Sequence, residues 1–294
     1  MRRMSQKGSY RCRYSQTGIT ITEVLVTIGV ISVLMGIIIP AVMLSRAAAQ
    51  RVSCSNQLRQ LTLAATQYES THGAYLGRQF FKRIRLQVEV RDEEKYVSLY
   101  ACPEDRSHAN GDQSEGKLSY AINAGLGSQR PDHQGILPQR GRTVRASEVT
   151  DGLSNTAMLA ERLSFPWYAP QVVAWDERPG DWRRTLLFFR EPASTPEQFD
   201  IQCGQKAVRP IISWFFTENY HHLRTPNTQG CGLVDSSGLF SGAGDFGVGV
   251  SAGSPHPGGA FVGYCDGSVK FVSDTVAIEI WRAHGTRSGA ETFE

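Results

Sequence analysis

No two cysteines of this chain stand as C-x-x-C, so the sequence offers neither a zinc ribbon nor a thioredoxin-type redox motif. Acidic side chains are missing from the first 22 positions, where Arg2, Arg3, Lys7, Arg11 and Arg13 all stand. Charge of either sign is then missing from Val24 to Ser45, a gap of 22 residues closed by Arg46. The formal net charge of +3 therefore belongs to the N-terminus. With those five basic residues set aside, the remaining Lys and Arg are outnumbered by the 28 acidic residues, which excludes a basic face for nucleic acid. Of 294 residues, 40% are apolar and 20% charged, which is globular rather than disordered composition.

The charge-free gap matches the roughly 20 apolar residues that a spanning helix needs. Basic residues ahead of it place its front end in the cytoplasm, so everything after Arg46 is expected outside the cytoplasmic membrane. A buried core helix and a secretory signal peptide compete with this reading. The latter draws on the small residues of S-R-A-A-A-Q, Ser45–Gln50. Two features oppose it: the run exceeds the usual h-region of about 7–15 residues, and a helical stripe continues past the cut. Cys54, Leu58, Leu61, Ala65 and Tyr68 recur at steps of four and three, with Arg51, Gln57, Arg59, Gln60 and Gln67 off the stripe. Gly73 is a natural stop. One helix from Ile19 to about His72 spans on the order of 80 Å.

One acid, Glu23, stands at the front of the apolar run. The stretch G-I-T-I-T-E, Gly18 to Glu23, followed by that run, resembles the processing motif of type IV prepilins. The resemblance implies cleavage after Gly18 by a prepilin peptidase, methylation of the new amino terminus at Ile19, and assembly with other pilin-like subunits through Glu23. Pilins also carry a proline in this part of the helix, as Pro40 does here, and Pro40 is expected to kink or locally melt the helix. Ile19 and Glu23 are one helical turn apart, so the carboxylate and the freed amine can share a face. A carboxylate that merely snorkels to the interface is the plainer alternative.

Further along, His256, nine intervening residues and Asp266-Gly267 form an H-x(9)-D-G arrangement. Together with the prepilin start, Cys54–Tyr75, Y-A-C-P-E-D, S-Y-A-I-N-A-G and D-G-L-S-N-T-A-M-L-A-E, it resembles a bacterial family of prepilin-like proteins with a C-terminal H-x(9)-D-G domain. The implied organisation is a leader over 1–18, a transmembrane and amphipathic helix over 19–72, and an exported head over 73–294. The fold class is α+β, the helix packing on an antiparallel sheet that carries a large irregular insertion from Ser164 to Gly253. Asp266-Gly267 reads as a two-residue hairpin turn in which Val262 opposes Phe271 and Tyr264 opposes Val269, all four on the buried face. Leu86–Asp92, Pro170–Glu177 and Thr185–Glu191 read as strands, and Asp151–Arg162 as a turn leading into a strand or short helix.

After the leader five cysteines remain, and outside the cytoplasm they are free to pair. The favoured pairs are Cys54 with Cys102 and Cys203 with Cys231, leaving Cys265 over, although spacing alone does not fix connectivity. His221 and His222 are adjacent and are expected at the surface. His256 and Asp266 are expected to meet in a hydrogen bond that pins the loop to the turn. The sharper alternative is Ca²⁺ held by Asp245, Asp266 or Asp274 with backbone carbonyls. G-A-G-D-F-G, Gly242–Gly247, lacks the strand-to-helix context of a nucleotide site and reads as a flexible loop. A catalytic His256–Asp266 pair has no nucleophile assigned to it. The expectation is a structural, non-enzymatic subunit, single-pass in the inner membrane with its head outside and no resident cofactor. A membrane-tethered ligand-binding protein is the alternative.

Overall fold

A computed structural model describes residues 20–77, 80–84, 98–105, 118–127, 130–137, 143–163, 183, 186–205, 210–211, 218–233, 246 and 248–289. The chain divides into two units, Met1–Ala48 and Ala49–Glu294. The strand expectations at Leu86–Asp92 and Pro170–Glu177 lie outside the described residues.

The first unit holds the start of helix α1 (Ile21–His72). The helix opens where it does because Thr20 and Glu23 form a capping box. The Thr20 backbone N–H donates to Glu23 Oε2 (2.8 Å), and the Glu23 N–H donates to Thr20 Oγ1 (3.4 Å). The apolar side chains that follow are exposed, from Val24 through Leu44. Thr27 and Ser32 donate their hydroxyls back to the carbonyls of Val24 and Ile28, so these polar groups are satisfied within the helix. The helix continues through Pro40. Among the described residues α1 is long and apolar enough to cross a membrane, with a mean hydropathy of 2.6 over its most apolar window and none of that window buried.

The second unit begins inside the same helix. Cys54, Leu58, Leu61 and Ala65 are fully buried, as their spacing requires. Gly73 ends the helix at φ +72°, donating its N–H to Glu69 O (2.7 Å). The main sheet has five strands in the order β5 (Asn219–Tyr220), β1 (Tyr120–Asn123), β2 (Ala157–Glu161), β8 (Gly259–Tyr264) and β9 (Val269–Ser273). On one side, Cys54, Leu58 and Leu61 of α1 and Phe80, Phe81 and Ile84 of α2 (Phe80–Ile84) pack with Tyr120, Ile122 and Leu159. On the other, Trp281 of α4 (Ile278–Gly285) packs with Ala157, Ala160, Val262 and Tyr264. The result is a helix, sheet, helix sandwich.

Two expectations are corrected. The main sheet is mixed rather than antiparallel, because β5 returns from a long excursion and lies parallel to β1. The Ser164–Gly253 insertion is not irregular throughout. Its described part builds a second sheet, in the order β4 (Pro210–Ile211), β3 (Leu186–Phe189), β6 (Gly230–Leu233) and β7 (Val248–Gly249), covered by α3 (Pro196–Gln205). Strands of two to four residues are too short to display a period of two, which is why, of these four, only β3, within Thr185–Glu191, read as a strand.

The β8–β9 hairpin forms one residue out of the expected register. Val262 opposes Lys270, and Phe261 opposes Phe271. Gly267 takes φ +87° and donates to Tyr264 O (3.0 Å), while Tyr264 N donates to Ser268 O (2.8 Å). The loop is therefore Cys265–Gly267, a turn closed by a left-handed glycine. Val262 and Tyr264 face α4, whereas Phe261, Gly263, Val269 and Phe271 face α1. On that face a Cβ at Gly263 would collide with Thr62 Oγ1. Gly263→Ala is expected to lower stability by about 1–3 kcal/mol through overpacking, although alanine normally improves on glycine in a strand. Urea unfolding of the detergent-extracted protein measures this, and adding Thr62→Ala is expected to restore most of the loss.

Candidate functional site

Chemistry-bearing side chains converge under α1, at the end of the main sheet. Cys54 comes from α1, Cys102 and Glu104 from the turn over 101–105, Glu161 from the last position of β2, and His256 from the loop before β8. Each is locally fixed. Cys54 and Cys102 are joined in a disulfide, which ties α1 to the head. The loop S-P-H-P-G-G gives His256 little freedom, because prolines flank it and Gly258 is left-handed at φ +84°. Ser254 Oγ accepts the His256 N–H (3.1 Å). Asn227, itself at φ +61°, binds both ends of the loop: Oδ1 accepts from Ser254 N (2.9 Å) and Nδ2 donates to Gly259 O (3.1 Å).

His256 is 1% exposed, and its two nitrogens face different partners. Nδ1 lies 2.6 Å from Glu104 Oε2. Nε2 lies 3.5 Å from Glu161 Oε1 and 3.9 Å from Cys102 Sγ. Assigning the ring proton to Nδ1 lets it donate to the Glu104 carboxylate and leaves the Nε2 lone pair pointing at Glu161 and the sulfurs. Glu161 is also 1% exposed; its Oε2 accepts from Phe261 N (2.9 Å), while Oε1 receives no hydrogen bond. Burial raises its pKa to about 7, against the pull of the Phe261 N–H, Ser254 and the Arg51 guanidinium. Burial likewise lowers the pKa of His256, with Glu104 opposing and Arg51 reinforcing.

The expected His256–Asp266 bond is not made. Asp266 Oδ1 instead accepts from the N–H and hydroxyl of Ser268 (2.9 and 2.7 Å), stabilising its own turn. Asp274 follows β9 and donates its backbone N–H to Gly258 O (3.2 Å). Gly18, Ile19 and Asp245, as well as most of Gly242–Gly247, lie outside the described residues. Both expected disulfides are present, Cys54–Cys102 and Cys203–Cys231, and Cys265 is free and buried.

His221 and His222 are core residues, not surface ones. His222 stacks on Trp281 with ring centroids 3.9 Å apart, and contacts Trp281 O (2.7 Å) and Tyr220 OH (2.9 Å). Their polarity hid their burial, because the partners come from distant segments. Glu104 and Glu161 were missed as chemistry too. The one local signal is that Glu161 ends an otherwise apolar strand, where an unpaired carboxylate is costly.

One nucleophile signature also escaped notice: Gly249-Val250-Ser251-Ala252-Gly253 fits G-x-S-x-G. Its context is wrong for an elbow. Ser251 follows β7 in extended chain with no helix after it, and its hydroxyl shares a hydrogen bond with Thr228 Oγ1 (2.9 Å).

A family model described as "Protein of unknown function (DUF1559)" matches residues 44–76 and 82–279. The chain belongs to this DUF1559 family. No curated protein and no solved structure matches it. The DUF1559 match takes in Cys54, Cys102, Glu104, Glu161 and His256, so the buried centre lies within the family's own span. Most of the apolar run lies ahead of it.

Proposed function

We propose that this DUF1559 protein is a prepilin-like, membrane-anchored subunit whose head stands outside the cytoplasmic membrane. The leader is removed after Gly18, Ile19 becomes the methylated amino terminus, and Glu23 neutralises an amine, its own or that of a neighbouring subunit, when subunits assemble. Prepilin peptidase, other pilin-like subunits and membrane lipid are the partners. The observation that carries this reading is a helix starting at Ile21 in which a single acid, Glu23, stands ahead of an exposed, charge-free apolar run. Two disulfides in the second unit agree with an oxidising compartment.

The capping box gives Glu23 a second role that the test must separate. Gln serves at the third helical position of a capping box as Glu does, but it carries no charge. Glu23→Gln is therefore expected to keep the helix start and the processing at Gly18, yet to abolish incorporation into filaments as fully as Glu23→Ala. Filament fractions and the N-terminal mass of the membrane-extracted protein give the two readouts. Normal assembly of Glu23→Gln would leave capping as the whole role of this carboxylate and remove the basis for the subunit reading.

A further inference from the structure

Among the described residues, Cys54, Cys102, Glu161 and His256 bring one ligand atom each to within 4.8 Å of one another. All four are buried. They come from four separate segments, so no sequence spacing announces them. In a tetrahedral zinc site with two thiolates, one imidazole and one carboxylate, bonds of about 2.0–2.3 Å put neighbouring ligand atoms roughly 3.4–3.8 Å apart. Here His256 Nε2 stands 3.5 Å from Glu161 Oε1 and 3.9 Å from Cys102 Sγ. The other pairs lie within 4.8 Å, and the sulfurs, now bonded to each other, must separate.

Two further observations point to a cation. Glu161 Oε1 is buried, receives no hydrogen bond and faces the other ligand atoms. An orphaned carboxylate oxygen in that position costs free energy unless something occupies the space before it. The imidazole also has a carboxylate beside its other nitrogen, as a metal ligand usually does: Nδ1 lies 2.6 Å from Glu104 Oε2, on the side away from the Nε2 partners. The charges suit the ion. Two thiolates, Glu161 and the neighbouring Glu104 carboxylate exceed the charge of Zn²⁺ by two, and the nearby Arg51 guanidinium, seated over Phe271 at 4.0 Å, offsets one of these.

We propose that Cys54, Cys102, Glu161 and His256 form a redox-gated zinc site, closed by the disulfide and opened by its reduction. A dithiol supplies two electrons and two protons. The Sγ–Sγ bond breaks, Cys54 and Cys102 become thiols, and the dithiol becomes a disulfide. Zn²⁺ then displaces the two thiol protons, and any proton on Glu161, to solvent. The ion is bound by two sulfurs, His256 Nε2 and Glu161 Oε1. No ligand position remains open, so the site is structural or regulatory rather than hydrolytic. It holds α1 to the head in the reduced state, as the disulfide does in the oxidised one. This inference is independent of how the N-terminus is processed.

The test uses the full chain in detergent micelles. The protein is reduced with a dithiol, freed of it by anaerobic gel filtration, and titrated with Zn²⁺ and, for spectroscopy, with Co²⁺. The reduced protein is expected to bind one ion per chain with thiolate-to-cobalt charge-transfer absorption, and the oxidised protein none. Glu161→Gln, close in shape to the native side chain, and His256→Gln are each expected to weaken binding at least tenfold. Glu104→Gln, a positioning change, is expected to weaken it about 10–100-fold with the cobalt spectrum still of two-thiolate type. Cys203→Ser is expected to leave binding unchanged. Equal binding by oxidised and reduced protein, or unaltered affinity in both Glu161→Gln and His256→Gln, would overturn the proposal. So would a reduced protein whose circular dichroism shows the native fold but which takes up no metal.

Discussion

A fragment beginning at Ala49 is expected to fold and melt cooperatively, whereas one beginning at Gly73 is expected not to fold at all. The sequence suggests a head starting at Gly73, where the helix stops. The compact unit instead starts at Ala49, because the second half of α1 is one wall of the main core. Cutting at Gly73 removes Cys54, Leu58, Leu61, Thr62 and Ala65, all fully buried, together with the Cys54–Cys102 link. Each large apolar side chain contributes about 1.5–3 kcal/mol by burial, and loss of a native disulfide costs about 2–5 kcal/mol. Uncovering the partner face, with Phe80, Ile84, Tyr120 and Leu159, adds to both. The sum is comparable to the whole stability of a domain, about 5–15 kcal/mol. Far-UV circular dichroism and thermal melts of the two fragments, expressed under oxidising conditions, decide it. A cooperative melt from the Gly73 fragment would show that α1 is an appendage.

The elements legible in the sequence are those set by local chemistry. The charge-free run, the stripe through Cys54, Leu58 and Leu61, and the glycine stop each follow from neighbours along the chain, and α1 appears where they place it. The hairpin was legible as a hairpin but not in register. Asp-Gly suits both a two-residue loop and a three-residue loop ending in a left-handed glycine. What separates the two is distant: Gly263 must face Thr62, since any side chain there would strike α1. A slip of one residue exchanges the faces, which is why the expected set of four buried residues was half wrong. The buried centre was less legible still. His256 was visible as part of a motif, yet its partners are Glu104 and Glu161, each more than 90 residues away, instead of Asp266. Local patterning reports which face of an element is apolar; it does not report which carboxylate arrives from another strand.

The stability of the oxidised protein is expected to fall steeply as pH drops from about 6.5 toward 4, and His222 is expected to be a main cause. Burial lowers the His222 pKa from 6.5 to about 3, and that of His221 to about 4. Both folded values lie below the unfolded one, so the stability they protect is present above pH 6.5 and is lost as pH falls through that window. Glu161 acts in the opposite sense. Its pKa is raised from 4.5 to about 7, so its contribution is present below pH 4.5 and lost as pH rises through 7. Between pH 5 and 6 the unfolded chain thus takes up protons on two histidines while the folded chain keeps one on Glu161. From these three groups the net is about one proton, a contribution of roughly 1.4 kcal/mol per pH unit to the slope, and the burial-lowered His256 and His284 add to it in the same sense. His222→Asn isolates the term. The amide can still donate to Trp281 O, as Nδ1 does, but it cannot titrate. The variant loses about 1–3 kcal/mol at neutral pH, because the buried Tyr220 hydroxyl forfeits its acceptor. Over pH 5–6 its slope is expected to be smaller than the parent's by roughly 1.4 kcal/mol per pH unit, read from urea midpoints at each pH. A slope equal to that of the parent would mean that His222 takes up its proton in the folded state as readily as in the unfolded one, which would overturn burial as the force that holds its pKa down.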